Sequence, residues 1–121
     1  MREITSHIVN PANDKLQIKV MDQPGAGGAN HEYRISTVDQ PNNRLWHLSF
    51  QNGAINEHGV NGVTQEVLLA VVADRLECFQ AGPFASVYNA KALEHVKAAQ
   101  ESLLDRTRER MARGVEGKTV A

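Results

Sequence analysis

The apolar residues of this chain keep two different periods, and the change between them limits the available folds more than any other feature. In LQIKV, residues 16–20, Leu16, Ile18 and Val20 alternate with Gln17 and Lys19, the two-residue repeat of a half-buried strand. HEYRIST, residues 31–37, repeats the pattern, with Tyr33, Ile35 and Thr37 on one face and Glu32, Arg34 and Ser36 on the other. RLWHLSF, residues 44–50, sets Trp46, Leu48 and Phe50 on one side. Asn52-Gly53 follows, a favoured pair for a two-residue hairpin turn, so a short return strand is expected at 54–57.

Past Asn61-Gly62 the period lengthens. Thr64 is placed to cap a helix with Glu66 in its first turn, and Val67, Leu68, Val71, Val72, Leu76 and Phe79 recur at helical spacing, which predicts a helix over about 65–80. After Gly82-Pro83, Ser86 is a candidate cap for a longer helix. Its stripe of Leu93, Val96, Ala99 and Leu103 runs toward a stop at Gly114. The fold class expected is α+β in a single domain: a small N-terminal antiparallel sheet (about 1–60), packed with a C-terminal helical hairpin (about 64–113) and followed by a tail (114–121). Strands this short are seldom stable without something on their apolar face, and the helices are expected to supply that cover.

A chain of 121 residues buries only a modest core, so self-association is expected to add to its stability. The net charge of −1 provides no general cationic surface, so polymeric nucleic acid is not an expected partner. The single cysteine, Cys78, excludes an internal disulfide and any multi-cysteine zinc site. No apolar run approaches the roughly 20 residues of a membrane helix, and nothing near Met1 resembles a signal peptide. A soluble, cytoplasmic protein without a membrane partner is the expectation.

Arg106, Arg110 and Arg113 prolong the apolar stripe of the second helix at three- and four-residue steps. A stripe that begins as core and ends as guanidinium must leave the core, facing a second subunit, a bound anion, or merely the carboxylates of Glu101, Asp105, Glu109 and Glu116. Arginine suits an anion because its planar fork grips phosphate oxygens in pairs. The loop PGAGGAN, residues 24–30, lacks the Lys-Ser/Thr pair of a phosphate-binding loop and leads into a strand. What remains for it is either a flexible backbone able to close over something small or an ordinary connection. Trp46 and Phe79 fit the apolar periods and read as core. Phe84 and Tyr88 instead flank the Gly-Pro break at a helix start, where unpaired N–H groups welcome an anion. An aromatic plane beside free N–H groups and the Asn89 amide is what a phosphorylated nucleobase requires.

Catalysis finds little footing. The five histidines show no metal-gathering spacing, so neither a metal nor a cofactor is expected. Of the paired His-x-Ser/Thr motifs that a two-histidine phosphodiesterase needs, His47-Leu48-Ser49 alone occurs.

PGAGGANHEYRI, FQNGAINEHGVNGVT, LLAVVADRLECFQAGPFASVYNAKAL and RTRERMARGVEG, taken in order, resemble the phage anti-defence family that unites Thoeris anti-defence proteins with anti-CBASS sponges, the Thoeris branch above all. The likeness spans about residues 18–117. It implies a non-enzymatic sponge that sequesters cyclic nucleotide immune signals in the host bacterial cytoplasm. It also implies dimers able to assemble into hexamers. Cyclic ADP-ribose isomers would be bound between paired protomers and cyclic oligonucleotides where several protomers converge. Carried over by position, the family's ligand-contacting phenylalanine and asparagine fall on Phe79 and Asn89, and its terminal-helix arginine on Arg106. Arg110 and Arg34 are further contacts the resemblance implies, with Phe84 and Tyr88 lining or supporting the pocket. Phe79 would then stack on adenine. Two other function classes compete: an enzyme that degrades such signals, and a small interaction or structural module whose arginine stripe meets an acidic partner.

Overall fold

The computed structural model describes residues 2–10, 15–38 and 44–118, and the chain divides into two compact units, Met1–Val63 and Thr64–Ala121. In the first, β1 (Arg2–Ile4), β2 (Leu16–Val20), β3 (Glu32–Thr37) and β4 (Leu45–Ser49) form one sheet in the order β1-β2-β3-β4. Every pairing is antiparallel. The alternation of apolar residues sets the register: Ile4, Ile18, Ile35 and Trp46 line up across the four strands, and Val20, Tyr33 and Leu48 form the next row. Val20 at the centre is fully buried. The Tyr33 ring meets Phe50 edge to face, with centroids 5.5 Å apart. β1, with a single apolar residue in three, carries too little period to be read from the sequence. Trp46, expected in the core, is 47% exposed. It lies on the last strand of the sheet, with Ile35 as its neighbour on one side.

The return strand expected at 54–57 does not form. A four-residue helix, α1 (Ile55–His58), stands there instead. The position beyond β4 is taken from farther along the chain: the Val63 carbonyl accepts from Gln51 N–H, and Val63 N–H donates to Ser49, a parallel bridge between Phe50 and Val63. Gly62 permits that approach, since a Cβ there would fall 2.4 Å from the Phe50 carbonyl carbon. The Asn61 side chain closes the loop by accepting from Asn52 N–H and donating to the Asn52 carbonyl, each at 2.8 Å.

The glycine-rich loop, read as a flexible connection, is tied at several points. Asp22 accepts from the N–H groups of His31 and Glu32. Buried His31 donates from Nε2 to the Ala26 carbonyl, and Asn52 Oδ1 accepts from Ala26 N–H. Burial by itself would raise the Asp22 carboxyl, but these backbone donors outweigh it and hold the group below its usual range.

The second unit is a helical hairpin of α2 (Gln65–Gln80) and α3 (Val87–Ala112). Thr64 and Ser86 cap them, each hydroxyl accepting an N–H three residues on. α2 is apolar all round only in its middle, over residues 67–73. Ala73 is buried and Leu68, Leu69 and Leu76 half-buried, whereas Val67, Val71 and Val72, expected on the inner stripe, are exposed. On α3 the sheltered positions are Asn89, Leu93, Val96, Gln100, Leu103, Thr107 and Arg110, spaced three and four residues apart, whereas Ala99, expected on this stripe, is exposed and Gln100 takes its place. Arg106 and Arg113 therefore lie off the stripe, and Arg110 alone of the three arginines lies on it.

Candidate functional site

The hinge between α2 and α3 is built by backbone economy. Ala81 and Gly82 N–H close the end of α2 onto the carbonyls of Glu77 and Phe79, and Gln80 Oε1 accepts from Ser86 N–H at 2.9 Å. Side chains of the outgoing helix thus prepare the cap of the incoming one. The turn lifts Phe84 and Tyr88 into solvent, at 74% and 82% exposure. Asn89 donates to the Phe84 carbonyl over a long 3.4 Å. Its side-chain oxygen has no partner among the described residues. Phe79 lies half-buried at the end of α2, one ring face covered by the Arg75 guanidinium 5.0 Å from the centroid, a cation–π pair one helical turn apart. Four of the predicted residues, Phe79, Phe84, Tyr88 and Asn89, thus gather at one end of the hairpin. Arg75 joins them unannounced, although its four-residue spacing from Phe79 was visible.

The arginines of α3 do not join this cluster within one chain. Asn89 and Arg106 are on the same continuous helix, and 17 residues at a rise of about 1.5 Å put them roughly 25 Å apart. Arg106 is exposed and forms no ion pair among the described residues. Arg110 behaves differently. It is 6% exposed, and its guanidinium donates to the carbonyls of Val115 (3.0 Å) and Lys118 (2.9 Å) and to Glu116. These contacts latch the turn after α3, where Gly114 takes a positive φ of 71°. There the Val115 and Gly114 N–H groups return to Arg110 and Met111, a glycine-dependent helix ending. Arg113 pairs with Glu109. Arg34 is on β3, in the sheet unit.

The profile of a family described as "Acb2/Tad1, hairpin domain" matches residues 47–106. A relative described as Thoeris anti-defense 1, from Bacillus phage SBSphiJ7, is 38% identical over 110 residues, which cover 91% of this chain and 75% of that relative. The chain belongs to this anti-defence family. The segment shared with the Acb2/Tad1 hairpin profile contains Phe79, Phe84, Tyr88 and Asn89 and ends at Arg106; Arg34 and Arg110 fall outside it. Among the described residues no helix is long and apolar enough to cross a membrane.

Proposed function

We propose that the chain is a phage anti-defence sponge, which binds cyclic nucleotide immune signals and withholds them from host effectors without degrading them. Cyclic ADP-ribose isomers are the first ligand class and cyclic di- and trinucleotides the second, so that Thoeris effectors, and CBASS effectors with them, go unactivated in the host bacterial cytoplasm. The observation that carries this reading is the hinge of an anti-defence family member: a half-buried ring, two exposed rings and an amide with an unused oxygen, set on rigid helix ends. An adenine can stack on the open face of Phe79 while Asn89 reads its edge. Phe84 and Tyr88 flank the pocket, and Arg75 adds positive charge beside it.

The site is completed by a second copy of the chain. The separation of about 25 Å along α3 keeps Arg106 out of reach of its own hinge, yet places it to meet phosphates held at the hinge of a partner in a dimer. Arg110, held inward by the terminal turn, braces this end of α3, and Arg34 is the phosphate contact expected from the sheet unit. Self-association is also favoured by how little the single chain buries: Val20 and Ala73 are the buried apolar residues among those described, while Val60, Val67, Val71 and Val87 are exposed. A sponge must outcompete an effector, which asks for roughly 12 kcal/mol of binding at nanomolar affinity. Walls from two or more protomers, in a dimer or hexamer, desolvate a ligand far better than one hairpin.

The test is calorimetric titration with cyclic ADP-ribose isomers and cyclic di- and trinucleotides, followed by heat release and chromatography of the ligand. Tight binding with intact recovery supports the sponge. Conversion of the ligand would replace it with an enzyme, and flat titrations across the panel would leave an oligomeric interaction module as the better account.

A further inference from the structure

Arg75 lies over one face of Phe79, its guanidinium carbon 5.0 Å from the ring centroid. The two are four residues apart on α2, the spacing that sets one side chain against another a turn away. Phe79 is half-buried while Arg75 is exposed, so the guanidinium covers that face from the solvent side.

No carboxylate competes for the guanidinium. Its neighbours at three and four residues along α2 are Val71, Val72, Cys78 and Phe79. Asp74 and Glu77, one and two residues away, face elsewhere on the helix, and Glu77 is held by Lys97 of α3 at 2.8 Å. Among the described residues Arg75 forms no ion pair and no hydrogen bond, so the contact with Phe79 is what orients it. An aromatic ring carries negative charge on both faces. With a cation seated on one face, the other has less to offer a second cation. A base stacked on the open face at about 3.5 Å would put such a charge roughly 8.5 Å from the guanidinium, close to the Debye length of about 8 Å at physiological salt, so the repulsion is only partly screened. A neutral purine loses nothing, since it stacks through buried area and dispersion.

We propose that Arg75 is a specificity-determining residue of the hinge: by backing one face of Phe79 it makes the other a platform for an uncharged base and turns away bases that carry a positive charge. This rests on the hinge being the ligand pocket, and it adds a rule that Phe79 and Asn89 do not supply. A bare phenylalanine accepts neutral and cationic rings alike, the cationic ones with a bonus from the ring's negative face. A phenylalanine already holding a guanidinium has spent that bonus. Arg75 acts through the ring and not by touching the base, so its signature is a preference between ligands rather than a loss of affinity for all of them.

The experiment is calorimetric titration of the full chain, by competition where binding is weak, with two probes. One is a cyclic ADP-ribose isomer joined through ribose oxygens, whose adenine is uncharged; the other is the same compound methylated at adenine N1, which fixes a positive charge on the base. Methylation also disturbs the edge that Asn89 reads, and losing Arg75 also removes attraction for the phosphates. Both effects cancel when the ratio of neutral to cationic affinity is compared between proteins. The ratio should fall about fivefold in Arg75→Met, and further in Arg75→Glu, where a negative charge takes the cation's place. Arg75→Lys keeps a cation over the ring and should retain most of the native ratio. Because Arg75 is exposed, these substitutions leave the hairpin folded, and a residue that merely steadied the helix end would weaken both probes alike. An unchanged ratio in Arg75→Met and Arg75→Glu, with the neutral probe still bound, would overturn the assignment and leave the pocket standing. Failure of the native chain to bind either probe would instead overturn the pocket, and the role of Arg75 with it.

Discussion

The two ends of the helical hairpin are built from similar materials and do opposite things with them. At the hinge, hydrogen bonds from Gln80 and Ser86 fix the backbone and the side chains turn outward: Phe84 and Tyr88 lie in solvent, and the Asn89 oxygen is unused. At the far end the backbone is closed by Gly114, and the most capable side chain, Arg110, turns inward to hold Val115, Lys118 and Glu116. Arg106, one turn earlier, remains outside. Position on a helical stripe thus says which way a guanidinium points but not what waits for it, and here the chain's own terminal carbonyls do.

Substitutions can separate these roles. The largest effect is expected from Phe79→Ala, which should cost about 3 kcal/mol of signal binding, more than a hundredfold. Unfolding in urea should barely move; a comparable loss of stability would make Phe79 a core residue and dissolve the contrast. Arg110→Met should do the reverse. It leaves the last carbonyls without their donor and should lower stability by about 3 kcal/mol, with ligand affinity altered less than about threefold if the residue only braces the helix end. A large affinity loss in a protein of normal stability would mean that Arg110 releases its latch to grip phosphate. Ser86→Ala, removing the hydroxyl that caps Asn89 N–H, should cost about 1 kcal/mol and soften the hinge, visible as faster amide exchange over 84–90. The smallest effect belongs to Gly82→Ala. An added Cβ would approach Cys78 O no closer than 3.6 Å, and the residue is absent from the positive-φ glycines. The change should therefore be neutral or stabilising by roughly 0.5 kcal/mol, and a marked loss would show that the hinge needs glycine's freedom to move.

What the sequence disclosed and what it withheld divide along the range of the interactions. The caps at Thr64 and Ser86 and the stop at Gly114 were legible because each is settled within a few residues, by a hydroxyl reaching three residues on or a backbone turning left-handed. Strand faces were legible for the same reason. The return strand after Asn52-Gly53 was misread because Val63, a dozen residues away, takes the place beside β4. Trp46 fits the period of its strand, but period alone does not tell that its strand is the last in the sheet. In the hinge, Phe84, Tyr88 and Asn89 could be grouped from their spacing around Gly82-Pro83, whereas Phe79 read as core by its period and joined them only through the family resemblance. Arg75 could have been added from its step of four. The engagement of Arg110 could not, since its partners Val115, Glu116 and Lys118 curl back through a turn that no stripe describes.

The loop closed by Asn61 has a practical side. Because Asn61 bonds back to Asn52 and Gln51, and Gln51 also ties Gly59, the chain enters and leaves this excursion through a seam that holds by itself. Val60, between the tied residues Gly59 and Asn61, is 79% exposed. A peptide bearing a fluorophore, spliced between Gly59 and Val60, would hang from a sealed socket rather than from the sheet, and the protein could then report its own ligand capture by light.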